Sequence, residues 1–198
     1  MPLPYPKKDT PTDAPILDII TKRWSSIAFD PTPLSTEHIA SLFEATRWAP
    51  SSYGEQPWRY IYAAKGDASR ETLENLLVEG NSWAKNAGLL ILSFAKKNYE
   101  KNGKPNKHFF HDTGAATFAL TLQATDMGLS SHQMGGFYAD KANEELGVPE
   151  DFEPCSMIAI GYPGDPDSLS DDLQQREAMP RTRLSSSQIA VKNGKDIG

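Results

Sequence analysis

The most specific signal in this sequence is a polar segment between two apolar ones: Trp48-Ala49-Pro50-Ser51-Ser52-Tyr53-Gly54-Glu55-Gln56-Pro57-Trp58-Arg59-Tyr60. We predict that a helix ends before Pro50, because proline lacks the backbone N–H that a helix interior needs, and that a strand begins near Tyr60. Between them, Ser51, Ser52 and Gln56 supply donors and acceptors, and the backbone amides of the loop can approach the edge of a flat heteroaromatic ligand. A plain turn is the alternative that this pattern alone leaves open.

The composition excludes several classes of protein. The chain has 198 residues, with 20 Lys+Arg against 26 Asp+Glu and a formal net charge of −6, so it carries no basic footprint for nucleic acid. Its length fits a single domain, since domains average about 100–200 residues. No apolar run approaches the ~20 residues that would span a bilayer, and we therefore expect no membrane segment.

The N-terminus and the cysteine content indicate location and organisation. Prolines at positions 2, 4, 6, 11 and 15 keep residues 1–15 out of regular structure, and they predict an arm that lies over a partner. The same prolines stand where a secretory signal needs an apolar run. The single cysteine, Cys155, cannot form an internal disulfide and is expected to be a buried, inert thiol. Both observations favour a cytoplasmic protein.

Apolar spacing predicts the order of the helices and strands. A first helix is expected over 16–23 with Asp13 as its N-cap, and a second from Ser35, its N-cap, to before Pro50. The run 89–95 is apolar throughout, which favours a strand covered on both faces. The other expected elements are helices over 71–78, 109–127 and 140–146, strands over 60–64 and 156–160, and loops over 96–107 and 163–174.

The helix expected over 109–127 has apolar residues on most of its sides, among them Phe110, Phe118 and Leu120. A helix that is apolar all round is buried. One domain of this size rarely encloses such a helix completely, so we expect a second subunit to cover it.

Three further motifs contain residues suited to ligand binding. The segment Arg23-Trp24-Ser25 combines a guanidinium with a hydroxyl, and these donors suit a phosphate group. The pair Gly135-Gly136 permits close approach of backbone to a ligand. Arg181 and Arg183 alternate, so their side chains point the same way in an extended chain. For each motif taken alone, solvated side chains or a simple turn remain the alternative.

Other kinds of site lack their residue patterns. His108 and His111 lie close together in the sequence, but no third and fourth ligands follow with the spacing of a zinc site, so no metal is expected. The sequence also lacks the phosphate-binding loop that ends in Lys-Ser/Thr, the Gly-x-Gly-x-x-Gly fingerprint and the Gly-x-Ser-x-Gly nucleophile elbow.

In this order and at these separations, the four motifs resemble the FMN-dependent nitroreductase family. The match spans roughly residues 16–185. Its segments are Arg23 with Ser25 and Phe29-Asp30-Pro31, Ala45-x-x-Trp48-Ala49-Pro50-Ser51-Ser52 with Gln56-Pro57-Trp58-Arg59, the helix from Asp112 to Gly128-Leu129, Gly135-Gly136-Phe137 with Leu146-Gly147-Val148-Pro149, Gly161-Tyr162-Pro163, and Arg181-x-Arg183.

The resemblance implies an α+β fold in which helices flank a central, mostly antiparallel sheet. It also implies an intertwined homodimer with FMN at the interface. The nitroreductase-like FMN-binding domain would then cover residues 16–185, between the Pro-rich arm 1–15 and a polar tail 186–198.

The resemblance further implies which residues bind a non-covalent FMN. The phosphate and ribityl chain would be held by Arg23, Trp24, Ser25, Arg181 and Arg183. The loop that the second subunit lays against the flavin would contain Pro50, Ser51, Ser52 and Gln56. Backbone N–H groups near flavin N5 would come from Gly135 and Gly136. No side chain is expected to act as a catalytic acid or base, since flavin N5 does the chemistry. The chain departs from the family at Ile27, where a basic residue is frequent, and at Gly54, where Asn is common.

The activity implied is transfer of a hydride from NAD(P)H through FMN N5 to an electron-poor small molecule such as a nitroaromatic, a quinone or a flavin. Donor and acceptor would use one site in turn, which predicts ping-pong kinetics. Two alternatives remain open at this point. The chain could be an FMN carrier or sensor without turnover, or an enzyme that modifies its flavin on the same scaffold.

Overall fold

A computed structural model of the chain describes residues 3–194, so the first two residues of the predicted arm and residues 195–198 of the predicted tail lie outside it. The strands are β1 (Trp58–Ala64), β2 (Leu89–Lys96), β3 (Ser130–Met134) and β4 (Phe152–Gly161). The helices are α1 (Asp18–Lys22), α2 (Thr36–Arg47), α3 (Arg70–Asn75), α4 (Phe109–Asp126), α5 (Ala139–Leu146), α6 (Asp171–Ala178) and α7 (Ser186–Ile189). Segments of 3-10 helix lie at Ser52–Gly54, Glu79–Asn86 and Pro166–Ser168.

The four strands form one sheet in the order β1-β2-β4-β3, and all neighbours are antiparallel. The prediction of an α+β fold with a mostly antiparallel central sheet is therefore confirmed. In β2, every residue from Leu89 to Ala95 is buried, as its continuous apolar sequence predicts. The third strand, Ser130–Met134, is not predicted from sequence because its residues are mostly polar.

Alternate residues of a strand point to opposite sides of the sheet, so the apolar strand β2 presents apolar side chains on both faces. Helices cover both of these faces. Leu89 and Ile91 pack on one side, with apolar residues of α2 and α4. Leu90 and Leu92 pack on the other side, with residues of α3, α5 and Glu79–Asn86. The two apolar layers fix the positions of the loops at the strand ends.

Two of the local predictions are wrong. Asp13 does not cap α1, which follows Leu17 and has no side-chain cap. The Asp13 carboxylate instead accepts from the backbone N–H of Ser186, in the first turn of α7, at 2.7 Å. The loop expected over 163–174 contains the start of α6, whose acidic first turn suits a helix N-terminus. The N-cap prediction for α2 is confirmed, since Ser35 accepts from the His38 N–H at 3.2 Å.

Within one chain, α4 is buried on one side only, so the expectation of burial all round is not met there. Its buried residues form two adjacent stripes: Asp112, Thr113, Ala116, Thr117, Leu120, Thr121, Ala124 and Thr125. On the other side, Phe110 is 49% exposed and Phe118 is 42% exposed. This helix therefore keeps an uncovered apolar face.

The chain after β4 passes very close to the segment after α1. Gly164 donates its N–H to the carbonyl of Ala28 at 3.1 Å, and a Cβ at this position would lie 2.4 Å from the carbonyl carbon of Phe29. Phe29 also forms an isolated antiparallel bridge with Pro163. These contacts fix the backbone that follows Arg23.

The thiol of Cys155 is half-buried rather than fully buried, and burial raises its pKa to about 12. A thiol with so high a pKa stays protonated and unreactive at neutral pH. Among residues 3–194, no helix combines the length and the apolar character that a bilayer crossing requires.

Candidate functional site

Three of the predicted site residues, Arg23, Arg181 and Arg183, line one cavity of about 750 Å³. Its walls come from the N-terminal arm, the end of α1, the segment leading into α7, and the exposed ring of Phe118 on α4. We refer to it as the arginine cavity. It is large enough for part of a cofactor-sized ligand.

The arginine cavity concentrates positive charge. Its lining includes one carboxylate, that of Asp13, which accepts from the Ser186 backbone N–H rather than pairing with an arginine. Within the described part of the chain, no carboxylate oxygen lies within 4.0 Å of a side-chain nitrogen of Arg23, Arg181 or Arg183. Burial lowers the pKa of Arg23, and the positive charges of Arg181 and Arg183 lower it further, while Tyr5 opposes them. Because arginine stays charged at neutral pH, this arrangement favours binding of an anion.

Arg181 holds the walls of the cavity together. Its guanidinium donates to four backbone carbonyls, those of Lys8 and Thr21 at 2.8 Å, Arg23 at 2.8 Å and Asp9 at 3.2 Å. Most of its donors are therefore engaged by the protein. Arg23 also lines the cavity, and among residues 3–194 its guanidinium has no hydrogen-bond partner. Sequence analysis placed the two arginines in the same role, but the structure gives them different surroundings.

The predicted residues between Arg23 and the sheet differ in exposure. Trp24 is buried, donates its indole N–H to the Pro6 carbonyl at 3.3 Å and lies under the Lys8 ammonium. Ser25 is exposed. Trp24 therefore anchors the N-terminal arm, while the hydroxyl of Ser25 is free to meet a ligand.

The buried carboxylate of Glu177, on α6, fixes the next two residues. It accepts from the Ser26 hydroxyl at 2.7 Å and from the Ile27 N–H at 2.8 Å. Ile27 itself is buried in the core, so the position where the family often has a basic residue contributes packing here. His132 of β3 lies 3.1 Å from the Ser26 carbonyl, and burial lowers its pKa, which keeps the imidazole neutral at pH 7.

The loop 50–56 is held in a defined and locally strained conformation. Ser51 accepts from the Gln56 N–H at 3.0 Å, and Tyr53 and Gln56 have positive φ values of 55° and 51°. Non-glycine residues rarely adopt this region unless the surroundings hold them there. Pro50 is exposed at the start of the loop.

Asp112, in the first turn of α4, is the main anchor of this loop. Its side chain is 4% exposed, and one oxygen accepts from the Ser52 N–H at 2.8 Å. The other oxygen lies 3.0 Å from Nδ1 of the exposed His111. Sequence analysis named Asp112 only as the start of a helix segment that resembles the family, and it missed this role. A lone carboxylate at the start of an apolar helix was the available signal.

Gly135 and Gly136 follow β3 and are both exposed. The Gly136 carbonyl accepts from the Asn81 side chain at 2.8 Å, and a Cβ on Gly136 would lie 3.0 Å from that nitrogen. A Cβ on Gly135 would meet nothing within 4 Å. The backbone at this turn is therefore accessible to a ligand.

The structure does not gather all the predicted site residues in one pocket of a single chain. The lining of the arginine cavity includes neither Trp24 nor Ser25, none of the loop 50–56 and neither glycine of the pair Gly135-Gly136. Among residues 3–194, no group of three or more His, Cys, Asp or Glu side chains could hold a metal ion.

We expect Asp112→Ala to lower the free energy of unfolding by roughly 1.5–3 kcal/mol, because a hydrogen bond to a buried charged group is lost. It should also speed hydrogen exchange at the Ser52 amide, measured by NMR or mass spectrometry. Asp112→Asn keeps an acceptor oxygen and should retain most of the protection. Asp126→Ala, an exposed change at the other end of α4, is the matched control. Unchanged exchange at Ser52 in Asp112→Ala would contradict the anchoring role.

Comparison with known proteins identifies the family. The model of the nitroreductase family matches residues 20–86 and 63–162. An uncharacterized 15.4 kDa protein of Mycolicibacterium smegmatis is 34% identical over 140 residues, which cover 67% of this chain and 93% of that protein. A protein of Archaeoglobus fulgidus with the provisional name NADH dehydrogenase/NAD(P)H nitroreductase is 28% identical over 153 residues, 75% of this chain and 86% of that one.

Solved structures agree with this assignment. A crystal structure described as an oxidoreductase containing FMN is 35% identical, covers 92% of this chain and 93% of its own, and superposes with a TM-score of 0.88. An FMN-dependent nitroreductase from Clostridium difficile R20291 is 26% identical, with 84% of this chain and 98% of that chain covered and a TM-score of 0.63. The chain thus belongs to the nitroreductase family, as its motifs predict.

Proposed function

We propose that this protein binds FMN and acts as an NAD(P)H-dependent oxidoreductase. The observation that carries the proposal is the arginine cavity, where Arg23, Arg181 and Arg183 meet without a carboxylate partner among the described residues. A terminal phosphate supplies the charge that such a cluster lacks. The names of relatives support the same activity, since one solved structure contains FMN and the Archaeoglobus relative is named for NAD(P)H.

The residues at the cavity fit the phosphate and sugar chain of FMN. Arg23 and Arg183 line the cavity and would bind the phosphate directly. Ser25 is exposed and close to Arg23 in sequence but is not part of the lining, and it would add a hydroxyl donor. Arg181 would contribute charge while its bonds to four carbonyls keep the cavity walls in place. The accessible backbone of Gly135 and Gly136 would serve the ring end of the cofactor.

When bound, FMN would accept a hydride from reduced nicotinamide at N5 and deliver the electrons to an electron-poor acceptor such as a nitroaromatic, a quinone or a flavin. The protein itself would orient the reactants, exclude water and supply fixed hydrogen-bond donors. No side chain at the site is required as an acid or base, and His132 is engaged at the Ser26 carbonyl.

The functional form is proposed to be a homodimer with composite sites. The loop 50–56 lies outside the arginine cavity of its own chain, and α4 presents Phe110 and Phe118 to solvent. Packing a second copy on that apolar face would cover the rings and could bring the partner's loop to the cavity. In this proposal the chain consists of an arm (1–15), an FMN-binding domain (16–185) and a polar tail (186–198).

We expect purified protein to release FMN, and not FAD, on acid treatment. Arg23→Ala should raise the Kd for FMN on the order of ten- to a hundredfold, because a charge-assisted hydrogen bond contributes roughly 1.5–3 kcal/mol. Flavin fluorescence during titration of the apoprotein measures the change. Lys192→Ala, an exposed charge in the tail, is the control. Release of FAD, or equal effects of both substitutions, would disprove the phosphate assignment.

A site that serves donor and acceptor in turn predicts ping-pong kinetics. Double-reciprocal plots should give parallel lines when the concentrations of NAD(P)H and a quinone are varied together. This measurement also separates an oxidoreductase from a carrier or sensor, which would show no steady-state turnover. Intersecting lines without substrate inhibition would contradict a single shared site.

A further inference from the structure

The segment between β2 and α4 forms a hairpin with an excess of positive charge. Asn98 and Pro105 form an antiparallel bridge, and the N–H groups of Asn106 and Tyr99 donate to the carbonyls of Lys97 and Lys104 at 2.8 and 2.9 Å. Sequence analysis predicted only a polar loop over 96–107. We refer to residues 96–107 as the lysine hairpin.

Three of its five lysines have no acidic partner. Lys96 pairs with Glu100, and Lys97 lies 3.8 Å from Glu153. The remaining lysines are exposed, and no carboxylate of residues 3–194 lies within 4.0 Å of their ammonium groups; they are Lys101, Lys104 and Lys107. A local excess of cations is notable in a chain whose net charge is −6, and it attracts anions from solution.

The lysine hairpin is attached to the loop 50–56. The hydroxyls of Tyr99 and Ser52 lie 3.2 Å apart, and the Glu100 N–H donates to the Glu55 carboxylate at 2.5 Å. The rings of Tyr99 and Tyr53 meet edge to face, with centroids 6.1 Å apart. The proposed function places the loop 50–56 against a flavin. The lysine hairpin would then lie at the edge of that flavin site.

We propose that the lysine hairpin binds the phosphate groups of the reduced dinucleotide donor and favours NADPH over NADH. This inference rests on the proposed function. Quinones and simple nitroaromatics carry no phosphate, whereas a dinucleotide must extend its phosphates outward when its nicotinamide reaches the flavin. The 2′-phosphate of NADPH adds charge at the far end, where flexible lysines act as point-charge ligands.

The first test compares kcat/KM for NADPH and NADH with a fixed quinone acceptor. Wild-type protein should prefer NADPH, and Lys101→Ala/Lys104→Ala should lower kcat/KM for NADPH roughly fivefold or more, as expected for two partly solvated ion pairs, with less than about a twofold change for NADH. Lys101→Arg/Lys104→Arg keeps both charges and should retain the preference. FMN content should be the same in all variants.

The matched control is Lys85→Ala, an exposed lysine of the segment Glu79–Asn86 that precedes β2, whereas the lysine hairpin follows the other end of that strand. This substitution should leave kcat/KM unchanged for both NADPH and NADH. The proposal would be overturned if the double alanine variant lost kcat/KM equally for NADPH and NADH, or if the wild-type protein preferred NADH.

A second test needs no turnover. Calorimetric titration of the FMN-loaded protein with adenosine 2′,5′-bisphosphate should detect binding that the double alanine variant weakens, and 5′-AMP should bind less tightly. If both donors are oxidised but bisphosphate binding is the same in every variant, the hairpin proposal is wrong and the proposed function stands. If neither donor is oxidised while the bisphosphate binds through the lysines, the proposed function fails and the phosphate site remains. If neither donor is oxidised and the bisphosphate does not bind, both fail.

Discussion

The hydrogen bonds from Arg181 to four backbone carbonyls are the interaction on which the site depends. They join the N-terminal arm, the end of α1 and the C-terminal segment, which are distant in sequence, around a cavity that also receives Arg23 and Arg183. Three cations lie close together here without a carboxylate within 4.0 Å among residues 3–194, and this arrangement favours binding of an anion. The fold supports this arrangement through Glu177 and Gly164, which fix the backbone after Arg23.

The helix α4 connects the two halves of the proposed site. Asp112 in its first turn anchors the loop 50–56, and Phe118 lies at the wall of the arginine cavity. These residues are about 9 Å apart along the helix axis, at 1.5 Å per residue, yet one chain does not place loop and cavity in the same pocket. A two-fold axis beside the exposed face of α4 would give each cavity the loop of the other chain, and the lysine hairpin would come with it.

The sequence predicts those features that depend on local patterns. The apolar run of β2, the Ser35 cap and the order of the four motifs are of this kind, and the motifs indicate the correct family. The strand Ser130–Met134 pairs with β4 and has three buried residues although its sequence is mostly polar, so no local pattern reveals it. The role of Asp112 depends on Ser52, 60 positions away, and that of Arg181 on carbonyls of the arm. Such partners are set by the tertiary fold and cannot be read from composition or spacing.

The central claim is that each site combines the arginine cavity of one chain with the loop 50–56 of its partner. Mixed dimers test it most directly. Arg23→Ala/Arg183→Ala damages the cavity and Ser51→Tyr/Ser52→Tyr damages the loop, and both proteins must be folded, dimeric and inactive alone. After joint unfolding and reassociation, about half of the dimers are mixed, and each mixed dimer holds one intact site, so about a quarter of all sites should regain activity. Activity that stays at the level of the two parents, with mixed dimers demonstrated by mass spectrometry, would contradict the composite site.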